Sequence, residues 1–241
     1  MILAGCQDAT SPKGSGLLIE KQRQTGATQL SDDTSDSEIV SPQYPKGTTV
    51  IVAVGDSITY GWGTWTGGYP TKLQAKLLAD GYNVVVINAG IPGESSPSTD
   101  ERFLPTIAGT HMVLLMIGTN DIMSPRGCLS PFNCNTIGHI ESMLDKALIS
   151  KVTLIVSTVI PENPYSFYLP WNIQIEALNA EIKQAAAVRK VNVVDNYTAI
   201  LQNGGSDLYI DKNHFTDQGN EVFAQQWYNA IVQSNLIKPP R

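Results

Sequence analysis

Three short stretches of this chain carry residues able to do chemistry together. The first is Gly55-Asp56-Ser57, which follows five apolar residues, Val50 to Val54. Glycine permits a tight turn, and the residue two positions later opens a helix, where unpaired N–H groups and the positive dipole end collect. A serine placed there is either a helix cap or a nucleophile whose own N–H faces a developing oxyanion. The second stretch comprises two later turns, Asn88-Ala89-Gly90-Ile91-Pro92-Gly93 and Gly118-Thr119-Asn120-Asp121, each following an apolar run. Gly90 offers a backbone N–H and Asn120 a side-chain amide. With Ser57 they make three donors, the set that the tetrahedral intermediate of acyl transfer requires. The third is Asp211-Lys212-Asn213-His214. An acid three residues before a histidine can reach back to one ring nitrogen and leave the other free to take a proton. Of the other two histidines, His111 opens a strand at the opposite end of the sheet, and His139 lies in a helical stretch with no evident acidic partner. Both read as structural.

These stretches need a scaffold that brings them to one edge. Apolar runs at Val50 to Val54, Val84 to Ile87, Met112 to Ile117, Val152 to Ile160 and Val191 to Val194 suit strands buried on both faces. Helical spacing is expected over Tyr69 to Ala79, Thr136 to Ser150, Leu169 to Val188 and Thr216 to Asn235. Strands alternating with helices predict an α/β fold: a parallel five-stranded sheet covered on both faces, with ligands bound beyond the carboxyl ends of its strands. Every stretch above follows a predicted strand or precedes the last helix.

Gly55-Asp56-Ser57-Ile58, Gly90, Gly118-Thr119-Asn120-Asp121 and Asp211-x-x-His214 together resemble, in order, the four motif blocks of the GDSL or SGNH hydrolases. The resemblance spans residues 50 to about 220, with Ile58 where the family name has leucine. It implies a flavodoxin-like three-layer α/β/α sandwich and a serine esterase acting on a small ester substrate, with no metal and no organic cofactor. Ser57, Asp211 and His214 would be catalytic, and Ser57, Gly90 and Asn120 would form the oxyanion hole. Gly61 to Tyr82 is similar to the arylesterase and lysophospholipase-thioesterase branch, which favours short acyl chains. A carbohydrate O-deacetylase and a non-catalytic surface lipoprotein that binds glycan or lipid are the alternatives. Candidate substrate contacts are Asp56, Trp62, Tyr165 and Phe167. The aromatic ones suit an acyl chain, a sugar ring or ordinary loop packing.

The 241 residues carry a formal charge of -6 without a basic cluster, which argues against nucleic acid or an anionic membrane surface as partner. Residues 1–47 are rich in Gln, Asp, Thr, Ser, Gly and Pro, too polar to offset chain entropy, and are expected to be a disordered tether or a dispensable extension before a hydrolase domain over 48–241. Leu3-Ala4-Gly5-Cys6 resembles a bacterial lipobox, which would make Cys6 a lipidation site on an exported, periplasmic or outer-membrane protein. The competing reading is a chance match in a cytoplasmic one. Cys128 and Cys134 would form a disulfide after export and remain thiols in the cytosol. The oligomeric state has no signature in the sequence.

Overall fold

The computed structural model of the chain describes residues 44–123, 134–163 and 170–238. Five parallel strands form the centre: β1 (Thr49–Gly55), β2 (Val84–Gly90), β3 (Met112–Met116), β4 (Thr153–Ser157) and β5 (Asn192–Val194), in the order β2-β1-β3-β4-β5. The helices are α1 (Ser57–Tyr60), α2 (Gly68–Ala79), α3 (Ser96–Ile107), α4 (Thr119–Met123), α5 (Thr136–Ile149), α6 (Pro170–Arg189), α7 (Asn196–Gln202) and α8 (Asp217–Gln233), with a 3-10 turn over Gly205–Leu208.

Alternate residues of each central strand serve two separate cores. Ile51 and Ala53 of β1, with Met112, Leu114 and Met116 of β3, pack against Leu73 and Leu77 of α2 and Phe223 and Trp227 of α8. Val52 and Val54, with Val113 and Leu115, pack against Phe103 of α3, Leu144 of α5 and Ile182 of α6. Two-sided burial is why the strands read as unbroken apolar runs, and it makes the molecule the three-layer α/β/α sandwich expected. Chain direction across the sheet reverses between β1, which leads outward to β2, and β3, which leads to β4 and β5. The crevice beyond β1 and β3 is therefore the switch point where such sheets bind ligands.

Several boundaries differ from those expected. The run Val152 to Ile160 yields only five strand residues, because β3 ends at Met116 and leaves Thr158 to Ile160 without a neighbour on that side. The α3 crossover was not legible as a helix, since Pro97 and Pro105 lie within it. Pro97 stands in the first turn, where its missing N–H has no partner to lose, and Pro105 stands in the last turn. Burial of Phe103 and Ile107 against the sheet outweighs the poor propensity. Thr216, expected inside the last helix, is its cap, with Oγ1 accepting the Gly219 N–H at 3.1 Å. No helix among the described residues is long and apolar enough to cross a membrane.

Phe103 is wholly enclosed between α3 and the sheet. Phe103→Ala should cost about 3–5 kcal/mol of unfolding free energy in urea titrations. A loss below about 1 kcal/mol would show that α3 contributes little to the second core.

Candidate active site

Strand β1 ends at Gly55 because nothing larger fits. A Cβ there would lie 2.4 Å from both the Met116 carbonyl and the Thr59 hydroxyl. Asp56 then caps α1, its Oδ1 accepting the Ile58 N–H at 2.9 Å. Ser57 opens the helix and is only 6% exposed. The Ser57 hydroxyl lies 2.9 Å from His214 Nε2, and His214 Nδ1 lies 2.7 Å from Asp211 Oδ2. A serine and an aspartate–histidine pair more than 150 positions further along the chain thus form one hydrogen-bonded line.

A tight turn sets the second half of that line. Tyr209 and Phe215 pair across it as an antiparallel bridge, and the Ile210 N–H donates to the His214 carbonyl at 2.9 Å. Asp211 divides its carboxylate between two tasks. Oδ1 accepts the backbone N–H of Asn213 (2.9 Å) and of His214 (2.8 Å), shaping the turn, while Oδ2 meets the imidazole. Burial alone would raise the Asp211 pKa. The Asn213 N–H, the His214 ring and the His214 N–H outweigh it and hold the carboxyl below its ordinary range, so it remains an anion. Phe215 anchors the turn in the first core, its ring 5.5 Å from that of Phe223. From the segment after β4, Asn163 donates its backbone N–H to the Lys212 carbonyl (2.8 Å) and its side-chain amide to the Asp211 carbonyl (3.1 Å).

On the other side of Ser57, Asn120 at the start of α4 donates to the Glu94 carbonyl at 2.9 Å and makes a long contact, 3.4 Å, with Asp56 Oδ2. Glu94 is itself fixed. Its carboxylate receives the Arg102 guanidinium and the Thr99 hydroxyl, and Arg102 also reaches the Ala89 carbonyl at 2.9 Å. Asp121 ties α4 to its neighbours by accepting from the Ser96 N–H and hydroxyl and from Thr136.

Two of the expected site residues are corrected by this geometry. Gly90 does not present its N–H to the crevice: that group donates to Asn88 Oδ1 at 3.0 Å. Gly90 is glycine for packing, since a Cβ would lie 2.3 Å from the Tyr60 nitrogen of α1. The glycine that lines the cleft is Gly93, at φ +79° with open space on its side-chain face and an N–H that has no hydrogen-bond partner among the described residues. The Pro92-Gly93 turn signal was in the sequence and pointed to such exposed backbone. Asp56 cannot contact substrate, because it is wholly buried beneath Ser57 as the helix cap. Trp62, by contrast, does line the cleft, its ring 6.3 Å from that of His214.

The cleft, of about 410 Å³, is lined by Ser57, Trp62, Pro92, Gly93, Asn120, Lys212, Asn213 and His214. Lys212 and Asn213 were not singled out from the sequence; their place between Asp211 and His214 was the available signal. Elsewhere, His111 accepts the Val50 N–H at the far end of the sheet, as its structural reading requires. His139 does have an acidic partner, Asp100 at 3.1 Å, supplied by α3 in a network with Lys146 and remote in sequence. Cys134 is buried and disulfide-bonded. Cys6, Cys128, Tyr165 and Phe167 lie outside the described residues.

Residues 53–222 match the model of the GDSL-like Lipase/Acylhydrolase family, and the chain belongs to that family of hydrolases. The fold is shared with a lipase/acylhydrolase from Enterococcus faecalis (23% identity, 80% of this chain and 99% of that one, TM-score 0.67). It is also similar to the acetyl xylan esterase AlAXEase (21%, 76% and 99%, TM-score 0.65). A third similar structure is a catalytic mutant of an acetylxylan esterase from Geobacillus stearothermophilus (18%, 76% and 94%, TM-score 0.66). No curated protein matches the chain.

Three carboxylates, Asp56, Glu94 and Asp121, are buried behind the cleft. Arg102 neutralises Glu94, whereas Asp56 has no cation among its contacts. Burial raises Asp56 to about 7; the Ile58 N–H opposes the shift, and Asp121 and Glu94 add to it. A carboxyl raised in the folded state favours folding at low pH, and that contribution is lost as pH rises from the unfolded value of 3.8 through about 7. Asp56→Asn, which keeps a good cap, should therefore remove on the order of 3 kcal/mol of the stability difference between pH 5 and pH 8. Urea unfolding at both values checks this; an unchanged difference would show that Asp56 is already ionised at pH 5.

Proposed function

We propose that the chain is a serine esterase that cleaves carboxylic esters of short acyl chains through an acyl-enzyme. The observation that carries this reading is the line from Asp211 through His214 to Ser57, ending in a cleft that also holds Gly93 and Asn120. Ser57 Oγ attacks the ester carbonyl carbon while His214 Nε2 takes its proton, and Asp211 holds the tautomer and favours the imidazolium. The carbonyl oxygen becomes an oxyanion received by the N–H groups of Ser57 and Gly93 and by the Asn120 amide. The Asn120 hydrogen now facing Asp56 makes only the long 3.4 Å contact and is free to turn to that oxygen. As the carbon–oxygen bond to the leaving group breaks, His214 returns the proton to the alcohol. Water then repeats the sequence, releasing the acid and restoring the Ser57 hydroxyl.

Removal of O-acetyl groups from a polysaccharide is the second reading. It is supported by the polar side of the cleft, where Asn120, Lys212 and Asn213 face half-exposed Trp62, and by the acetylxylan esterases among the similar structures. The disulfide at Cys134 supports an exported protein, and the lipobox-like Leu3-Ala4-Gly5-Cys6 supports attachment by a lipid on Cys6.

Ser57→Ala should lower kcat on p-nitrophenyl acetate by about 10⁴ or more, and Asn120→Ala by about 10² to 10³. A fluorophosphonate should label the native chain and not the Ser57 variant. Labelling at another residue, or full activity without the Ser57 hydroxyl, would overturn the assignment. Comparison of p-nitrophenyl esters of increasing length with acetylated xylan separates the two substrate readings.

A further inference from the structure

Beside the cleft lies a second depression of about 230 Å³, lined by Gly63, Thr64, Trp65, Thr66, Ile210, Thr216 and Asp217. The same two chain segments wall both. The Gly61–Gly67 loop gives Trp62 to the cleft and Trp65 to the depression; the segment from Ile210 gives Lys212, Asn213 and His214 to one and Ile210, Thr216 and Asp217 to the other. Three residues of chain span at most ~11 Å, so Trp65 lies within about that distance of Trp62.

Trp65 is 103% exposed, whereas Trp227 is completely enclosed. An indole has roughly 150–250 Å² to bury, and here none of it is used in folding. The loop that displays it is nevertheless fixed. Gly61, Gly63 and Gly67 all hold left-handed conformations. The Thr64 hydroxyl donates to the Gly61 carbonyl at 2.8 Å, and Gly63 lies so close to Ile210 that a Cβ would meet its Cδ1 at 2.1 Å. Thr66 donates to Asp217 Oδ1 at 2.6 Å, an oxygen that Lys72 also meets at 2.9 Å. Asp217 Oδ2 accepts no hydrogen bond from the described residues, and Asp217 lines the depression.

An exposed ring face beside a carboxylate oxygen with open lone pairs is the chemistry that holds a sugar: C–H groups lie on the ring and hydroxyls donate to the carboxylate. Lys72 balances the Asp217 charge, and the largely apolar lining suits the C–H face of a ring, with the oxygens of Thr64, Thr66 and Asp217 along its wall for hydroxyls. We propose that Trp65 and Asp217 form a carbohydrate subsite, which binds a sugar ring next to the acylated ring held over Ser57. The inference rests on the polysaccharide reading of the Ser57 cleft given above. It makes the substrate a chain rather than a single sugar, because one ring cannot fill both places.

Binding can be measured apart from turnover in the full chain carrying Ser57→Ala. Isothermal titration with acetylated and unacetylated xylo-, cello- and N-acetylglucosamine hexasaccharides should give binding to at least one series, weakened tenfold or more when Trp65→Ala or Asp217→Asn is added. Ile149→Ala, at an exposed position of α5, should leave that affinity unchanged and controls for general surface effects. Two results would overturn the subsite: equal hexasaccharide affinity with and without Trp65, or no hexasaccharide binding at all. Phosphatidylcholine vesicles that bind the chain and lose it with Trp65→Ala would also overturn it, assigning the surface to lipid. The esterase reading is judged separately, by fluorophosphonate labelling of Ser57, and the deacetylase reading by acetate release from acetylated xylan. A failed subsite with intact labelling therefore refutes this inference alone.

Discussion

The site depends on one crowded place, the end of β1. Gly55 is confined between the Met116 carbonyl of β3 and the Thr59 side chain of α1, and Gly90 of β2 is pressed against the backbone of the same short helix. With no room for a side chain on either strand, α1 packs directly on the sheet edge, and its first residue is held where the crevice opens. Ser57 is placed by backbone packing together with the Asp56 cap. Asp56 is forced beneath it by the same contact, which is why a carboxyl ends up buried without a cation and titrates near neutrality.

Around this fixed point the other groups are held by contacts that do not touch a reacting atom. Arg102 reaches from α3 to the end of β2 and to Glu94, and Glu94 in turn holds the Asn120 amide by its carbonyl. Asp121 joins α4 to α3 and α5 through three donors. On the opposite side the Asp211–His214 turn is gripped from both directions, by Asn163 at its backbone and by Phe215 in the aromatic cluster with Tyr209 and Phe223. Buried polar groups are costly unless satisfied, and Glu94, Arg102 and Asp121 are each satisfied by contacts that fix an orientation.

The wall formed by residues 62–66 follows different physics. Trp65 adds nothing to the core, the glycines set the path of the backbone, and the ties run inward to the Ser57 carbonyl as well as outward to Ile210 and Asp217. The loop leaves an indole in water, in contrast to α2 and α8, whose aromatics are spent on packing.

The sequence by itself determined the layered α/β fold and the three side chains of the hydrogen-bonded line. Runs buried on both faces leave unbroken apolar segments, and the aspartate–histidine spacing is short enough to act within one turn. Asn120 was legible only together with Ser57, as a side-chain amide following a predicted strand at the same end of the sheet. Tertiary structure alone decided between Gly90 and Gly93, since what matters there is where a backbone N–H points, and that depends on Asn88 and on the packing of α1. It also decided the burial of Asp56, the partnership of His139 with Asp100, and the helix that α3 forms despite two prolines. Each of these is settled by neighbours remote in the chain, and a local pattern carries no record of them.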